Sequence, residues 1–417
     1  MSRGIHPERL FTAVLVPNIC VIMTKTAVCS ICSKNYYAHA RVLLASIRRV
    51  HPDWDCHFLL ADEPDGSLDP SGEHFSFATA RDLNIPNFES LAFRYDVIEF
   101  NVALKPFLIK HLLSLGYERV IYFDVDVRVF SELTPVVEAL ASASIVITPH
   151  ITSPLPISAE PSGGEAGFLK NGSYNLGFIA VSRCDETLAF LDWWAGHCLT
   201  QCLREPETGL FVDQKWIDLV PSLYPHVKVL RHLGCNMAYW NFHERIISDS
   251  LVNGKDPLVF FHFSGVDLSA ISSISKYQTE FNLKNRPDLA GIFHEYKADV
   301  LGAGHDKFVS LPYGYGRFEN GTLIGLLARR LYPHLEGKYP NPFAVGPGTY
   351  HDLLRRRGLL VTDTVPSYGH ADAKKRGRPI NLLLTLAMRI FGSQRYEALM
   401  AYLRYISVLR RQRFLVE

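Results

Sequence analysis

Residues 120–126 read VIYFDVD: an apolar and aromatic run, Val120 to Phe123, followed by Asp124-Val125-Asp126. An uninterrupted run of this kind is the pattern of a strand buried on both faces, as in parallel sheets covered by helices. Ligands of such sheets bind beyond the carboxyl ends of the strands, and the acidic pair stands at that place. The period of two predicts both carboxylates on one strand face, with Val125 on the other. Two hard oxygen ligands so placed suit one Mg²⁺ or Mn²⁺, whose remaining positions accept a diphosphate. The plain alternative is a capped turn after a strand.

Sequence on either side repeats the theme. Residues 27–31 (AVCSI) predict a first strand and 57–61 (HFLLA) a second. Between them, 37–50 predicts a helix with Leu43, Leu44, Ile47 and Val50 at helical spacing, ending before His51-Pro52. Residues 62–85 read as a loop, and 103–115 as a helix with Pro106 in its first turn and Gly116 as its stop. Further strands are predicted at 145–148, 177–181, 227–230 and 258–263, and a helix at 185–202 with Leu188, Leu191, Trp194 and Cys198 on one face. The expected fold is α/β: a Rossmann-like, mostly parallel sheet with helices on both faces over 24–300. An N-terminal extension precedes it over 1–23, and a mainly helical and loop-built C-terminal extension follows over 301–417.

The chain has 417 residues, 47% apolar and 20% charged, with Lys plus Arg 43 against Asp plus Glu 42. A net charge of +1 carries no nucleic-acid signature. The balance is uneven, because 351–417 holds thirteen Lys/Arg against five Asp/Glu. There INLLLTLAMRIF (380–391) offers apolar surface, with Lys374, Lys375, Arg376 and Arg378 before it and arginines after it. Residues 374–417 therefore predict either an interfacial helix on an anionic membrane surface or a helical pair packed on the body. Eight scattered cysteines argue against a disulfide framework and for a cytoplasmic protein, at most peripheral on the inner face of the membrane. Cys29-x-x-Cys32 lies on a predicted strand, where residues three apart face opposite ways, which disfavours a metal or redox pair. Residues 10–23 (LFTAVLVPNICVIM) imitate a signal segment but are interrupted by Pro17 and lack a small-residue cleavage site; Met23 is an alternative start. The chain has no run of eighteen apolar residues to predict a spanning helix.

The residues able to do chemistry stand at predicted strand and loop borders. Asn175 and Gly177 lie in YNLGF, Asp213-Gln214 in DQKW, Asn236 in GCNMAYWN, and His262 and Gly265 in HFSG. A neutral histidine is a good third ligand beside two carboxylates, and glycine lets backbone approach a phosphate. Lys105, at a helix start, could neutralise phosphate or reach the transferred group. Asn175, Asp213, Gln214 and Asn236 could shape a sugar pocket. Tyr239 and Trp240 could stack on the apolar face of an acceptor sugar, whereas Trp194 at helical spacing belongs to a core. The bland readings are a satisfied core histidine for His262 and a helix cap for Asp213.

This order of motifs resembles glycosyltransferase family 8, a group of GT-A enzymes: a D-x-D at a strand end, an N-x-G segment, an Asp-Gln pair and an H-F-x-G. The resemblance covers about 27–280, and YNLGF, FLDWW, DQKW and GCNMAYWN look like a bacterial branch used in polysaccharide or lipopolysaccharide assembly. It implies that Asp124, Asp126 and His262 hold Mn²⁺ or Mg²⁺ on the diphosphate of a nucleotide-sugar donor, with a UDP-sugar favoured. It also implies that Asp213 binds donor-sugar hydroxyls, that Gln214 lies under the anomeric carbon, and that configuration is retained. The family's lysine soon after H-F-x-G is absent at its usual spacing, and Lys276 is the nearest candidate. The acceptor would be a glycan or a lipid-linked saccharide. A haloacid dehalogenase-type phosphatase, which also carries D-x-D after a strand, would place the motif near the N-terminus and follow it with an acidic pair. A catalytically inactive GT-A binding module would be expected to have lost ligands.

Overall fold

The computed structural model describes residues 25–157, 164–361 and 370–417, with side chains from Pro379 onward in the last segment. The expected N-terminal extension, its signal-like stretch and Met23 lie outside the described residues, as do the side chains of Lys374, Lys375, Arg376 and Arg378.

Core strands form at each of the predicted apolar runs, and two more form where none is predicted. They are β1 (Thr26–Cys32), β2 (Asp55–Leu60), β3 (Ser76–Thr79), β4 (Arg119–Phe123), β5 (Val127–Val129), β6 (Ile145–Pro149), β7 (Tyr174–Ser182), β8 (Val227–Val229) and β9 (Phe260–His262), of which β3 and β5 are the two unpredicted ones. Seven make one sheet in the order β8-β6-β7-β4-β1-β2-β3. Pairing is parallel except at β7, which runs antiparallel to both β4 and β6. Alternate residues of β4 serve opposite cores: Val120 and Tyr122 one, Ile121 and Phe123 the other. Cys29 and Cys32 are divided in the same way, so the C-x-x-C spacing brings no pair together.

Helices cover both faces. On one lie α1 (Tyr37–Val50), α5 (Thr134–Leu140) and α8 (Ala290–Gly302); on the other, α2 (Phe88–Arg94), α3 (Val97–Ala103), α4 (Lys105–Ser114) and α7 (Asp185–Thr200). The buried Trp194 is part of that second core. The short α6 (Glu165–Asn171) leads into β7.

Four expectations need correction. The loop over 62–85 contains β3, an edge strand parallel to β2 whose four residues are too few to show a period. The helix expected over 103–115 forms as α4, but an unpredicted short helix, α3, precedes it and meets it at Leu104, begun by a capping box in which the Asp96 carboxylate accepts from the Ile98 and Glu99 amides. The run 258–263 forms a strand outside the main sheet: β9 pairs antiparallel with β5. Asp124 and Asp126 lie in the turn between β4 and β5, closed by the Val127 amide on the Asp124 carbonyl at 3.1 Å, so strand alternation does not set their directions.

The C-terminal extension is helical and loop-built as expected. Phe318, Ile324, Tyr332 and Tyr350 pack around Phe93 of α2, bringing in α9 (Leu326–Leu331) and α10 (Tyr350–Arg356). A last helix, α11 (His370–Ile406), is broken at Gly392, whose φ of 76° is left-handed. Ile380, Leu382, Leu383, Leu386, Ile390 and Phe391 of α11 are exposed. The packed helical pair is therefore not what forms over 380–391. The chain returns to the body only near its end, where Val416 is buried.

Candidate functional site

Pairing of β9 with β5 assembles the site. It sets His262 opposite Val127, and the Phe263 amide donates to the Asp126 carbonyl at 2.8 Å, so the imidazole arrives beside the acidic turn. The Asp124 amide in turn donates to the Gly177 carbonyl at 2.9 Å, which ties that turn to β7. Asp124, Asp126 and His262 each offer a ligand atom, and all three atoms lie within 4.8 Å of one another. Both carboxylates are partly open, whereas His262 is buried.

His262 Nε2 stands 3.0 Å from Asp126 Oδ1 and Nδ1 stands 3.2 Å from Asn175 Oδ1. Burial alone would depress the imidazole, but Asp126, with help from Asp124, raises its pKa. Burial likewise opposes the Asp126 charge, and the facing imidazole outweighs it, holding that carboxyl below its ordinary value. Asn175 Oδ1 also accepts from the Gly177 amide and from Asn236 Nδ2, both at 3.1 Å, so its orientation is fixed. A histidine steered at one nitrogen by a fixed acceptor presents the other to a cation. Two carboxylates and such an imidazole are a donor set that fits Mn²⁺ or Mg²⁺. Gly177 belongs to this arrangement for a steric reason: a Cβ there would stand 2.3 Å from His262 Cε1.

Lys105 is buried between two carboxylates. Its Nζ lies 3.2 Å from both Asp124 Oδ1 and Asp213 Oδ2 and donates to the Leu176 carbonyl at 2.8 Å. The carboxylates raise its pKa against a burial penalty. Burial, reinforced by Asp124 and opposed by Lys105, pushes Asp213 up to about 6. Asp213 caps nothing with its side chain; the Trp194 indole N–H fixes its carbonyl at 3.4 Å. The Gln214 amide is held at both ends, accepting from the Leu176 amide at 3.1 Å and donating to the Asn171 carbonyl at 3.0 Å. Asn236, at a left-handed φ of 56°, donates to Thr148 Oγ1 at 2.8 Å.

Trp240 is buried, edge-on to His262 at 5.2 Å, and Tyr239 is half-buried 5.0 Å from Trp240. Gly265 is left-handed (φ 69°), and a Cβ there would meet Tyr277 at 2.4 Å. Its carbonyl accepts from the Lys276 amide at 2.9 Å, while the exposed Lys276 side chain lies over the Tyr277 ring. Lys276 is thus brought to the HFSG loop by backbone pairing.

Sequence reasoning missed Tyr122, His150 and Tyr36. The Tyr122 hydroxyl donates to Asp124 Oδ1 at 2.7 Å, and its place two residues before Asp124 was the available signal. His150 sits 3.4 Å from the Asn175 amide nitrogen and edge-on to Trp240; burial drives its pKa down to about 4. Tyr36, after β1, is pushed up to about 12 by burial and by Asp126. Neither position stands out in a single sequence. Among the described residues, Asn236 Oδ1, His150 Nδ1 and Trp240 Nε1 are buried polar atoms without a hydrogen-bond partner.

No family model matches the chain. It is 27% identical over 285 residues to the uncharacterized protein YfnF of Bacillus subtilis (strain 168), spanning 66% of this chain and 91% of that protein. It is 26% identical over 223 residues to the uncharacterized protein YfnD of the same organism, spanning 51% and 65%. Solved structures with a likeness include the galactosyltransferase LgtC in complex with donor and acceptor sugar analogues, at TM-score 0.38 and 16% identity over 69% of this chain and 97% of that one. Apo mouse xyloside xylosyltransferase 1 shows TM-score 0.37 and 14% identity over 57% and 97%.

Proposed function

We propose that the chain is a metal-dependent glycosyltransferase of GT-A type that moves a sugar from a nucleotide-sugar donor, UDP-linked by preference, to a glycan or lipid-linked acceptor with retention of configuration. The observation that carries this reading is the convergence of Asp124, Asp126 and His262 from two separate segments onto one point, with His262 steered by Asn175. A bound divalent ion would neutralise the charge that develops on a departing diphosphate.

The remaining groups then have distinct tasks. Lys105 keeps the Asp124 and Asp213 carboxylates together beside the acidic turn, so their charge is partly compensated before any ligand arrives. Asp213 and Asn236 offer acceptors to donor-sugar hydroxyls, and the unpartnered Asn236 Oδ1, His150 Nδ1 and Trp240 Nε1 are the kind of buried atoms that a polyhydroxylated ligand satisfies. Gln214 presents a dipole fixed by backbone at both ends, which favours a developing positive centre without reorganisation. Gly265 and Lys276, joined by a backbone hydrogen bond, would supply a close backbone approach and an ammonium to the diphosphate, and Tyr239 with Trp240 would offer a stacking face to an acceptor. Exposed apolar residues of α11, followed by arginines, favour peripheral contact with an anionic membrane, where a lipid-linked acceptor would be met. No helix among the described residues is long and apolar enough to cross a membrane.

Titration calorimetry of UDP with and without Mn²⁺ tests the reading. Wild-type chain should bind UDP in a Mn²⁺-dependent manner, and Asp126→Ala should abolish that dependence with an unchanged far-ultraviolet spectrum. UDP release from UDP-sugars separates a transferase from a binding module. Phosphate release from small phosphomonoesters, without UDP binding, would establish the phosphatase instead.

A further inference from the structure

Away from the acidic turn, the C-terminal extension and the catalytic body line a half-open cavity of about 620 Å³ that holds six arginines: Arg94, Arg329, Arg330, Arg410, Arg411 and Arg413. The first closes α2, the next two lie in α9, and the last three belong to the terminal segment that folds back on the body. His334 and Tyr405 also line it.

Carboxylates neutralise this group only in part. Arg330 and Arg410 share Glu205, at 3.3 Å and 2.9 Å, and Arg330 also pairs with Glu99. Arg94 pairs with Glu336 at 2.8 Å, and Arg413 with Glu417 at 3.2 Å. Arg329 is spent on backbone, donating to the Phe93, Tyr95 and Tyr315 carbonyls at 2.7–2.8 Å. Among the described residues four carboxylates thus face six guanidiniums, and one of the five ion pairs, Arg413 with Glu417, is exposed at both partners, where solvent and salt weaken it. Arg411 has no carboxylate partner among the described residues: its guanidinium lies 4.5 Å over the Tyr405 ring and donates to the Tyr405 carbonyl at 3.2 Å. Arg94 is 9% exposed, and its buried Nε–H has no acceptor among the described residues.

A self-contained ion network closes its own charge, since leaving a guanidinium unmatched in a partly desolvated place is costly. Here a cationic excess and an unused buried donor meet in one concavity, where low-dielectric walls concentrate the field. The planar guanidinium fork matches two oxygens of a phosphate. We infer that this cavity is a second, metal-independent anion site that takes a phosphate ester or diphosphate, with Arg411 as its principal free contact. The phosphate could be that of a lipid headgroup or of a soluble compound. Tyr405, at the end of the exposed helix α11, stands at its rim.

The test uses full-length chain in EDTA at low salt, with inorganic pyrophosphate as the calorimetric probe. Wild type and Asp126→Ala should bind with equal affinity, which separates this site from the acidic turn and makes the outcome independent of the proposed transferase activity. Arg411→Gln should weaken binding about tenfold or more, the scale of one charge-assisted hydrogen bond. Arg411→Lys should restore part of the loss. Should Arg411→Gln lower thermal stability, Arg413→Gln, which alters only an exposed pair, serves as the second variant. Sedimentation with phosphatidic acid vesicles against phosphatidylcholine vesicles identifies the source: a phosphatidic acid-specific loss in Arg411→Gln assigns a lipid phosphate, and unchanged sedimentation with lost pyrophosphate affinity assigns a soluble one. Absence of pyrophosphate binding in EDTA, or equal affinity in wild type and both glutamine variants, would overturn the inference.

Discussion

Gly177 shows how little room the site leaves at single residues. It lies in the middle of β7, a position where a strand usually prefers a side chain, yet an added Cβ would collide with His262 and stand 2.8 Å from Asn175 Oδ1. Gly177→Ala must push the imidazole away from Asp126 or shift the β7 backbone. The expected cost is about 1–3 kcal/mol in stability, typical of overpacking. Mn²⁺ affinity should fall at least about tenfold if the displaced ring is a ligand. Parallel thermal melts and metal titration check this; full Mn²⁺ affinity would show that His262 is not needed for the cation. The Asp124-x-Asp126 spacing was visible in the sequence, but the alternation argument fails, because the pair lies in the turn between β4 and β5 rather than within a strand.

Elements are joined at the site by Lys105. It begins α4, reaches the acidic turn after β4 and meets Asp213 at the start of the 3₁₀ segment Gln214–Leu219, while its third donation goes to β7. Lys105→Met keeps the length and removes the charge, leaving the buried Asp213 carboxylate unpaired beside the partly open Asp124. Breaking such a buried pair typically costs about 3–5 kcal/mol. Denaturant unfolding should register that loss, and wild-type stability would contradict the pairing. In the same way β9 was legible as an apolar strand, FFH within LVFFHF, but its partner was not. Pairing with the three-residue β5 is decided by non-local contacts that no period in either segment encodes.

At the scale of the whole molecule, two ends of the chain's last fifty residues behave oppositely. Residues 380–391 expose leucine, isoleucine and phenylalanine side chains, while the terminal turns dock through Arg410 on Glu205 and His334 on the Arg410 carbonyl at 2.7 Å. Truncation of the whole tail would therefore confuse membrane contact with loss of docking. The combined substitution Leu382→Gln, Leu386→Gln and Ile390→Gln removes exposed apolar surface alone. It should leave the melting temperature unchanged and reduce sedimentation with anionic vesicles by an order of magnitude or more, each buried leucine-sized side chain contributing about 1.5–3 kcal/mol. Retained sedimentation would exclude α11 as the contact.

Local pattern sufficed for what local physics controls. Long apolar runs read as buried strands because a parallel sheet covered on both faces leaves no polar side, and Tyr37–Val50 read as a helix because its apolar stripe and the following proline act within a few residues. The acidic pair, His262, Asp213 and Asn175 stood out in the sequence by their residue types and order, and the structure brings them close together. Tertiary structure alone decided that β7 runs antiparallel, that β9 leaves the sheet, that Lys105 is enclosed by Asp124 and Asp213, and that six arginines from distant segments share one cavity. Each of these depends on contacts between residues far apart in the chain, whose pairing is selected by packing and charge in the assembled core rather than by any spacing along the sequence.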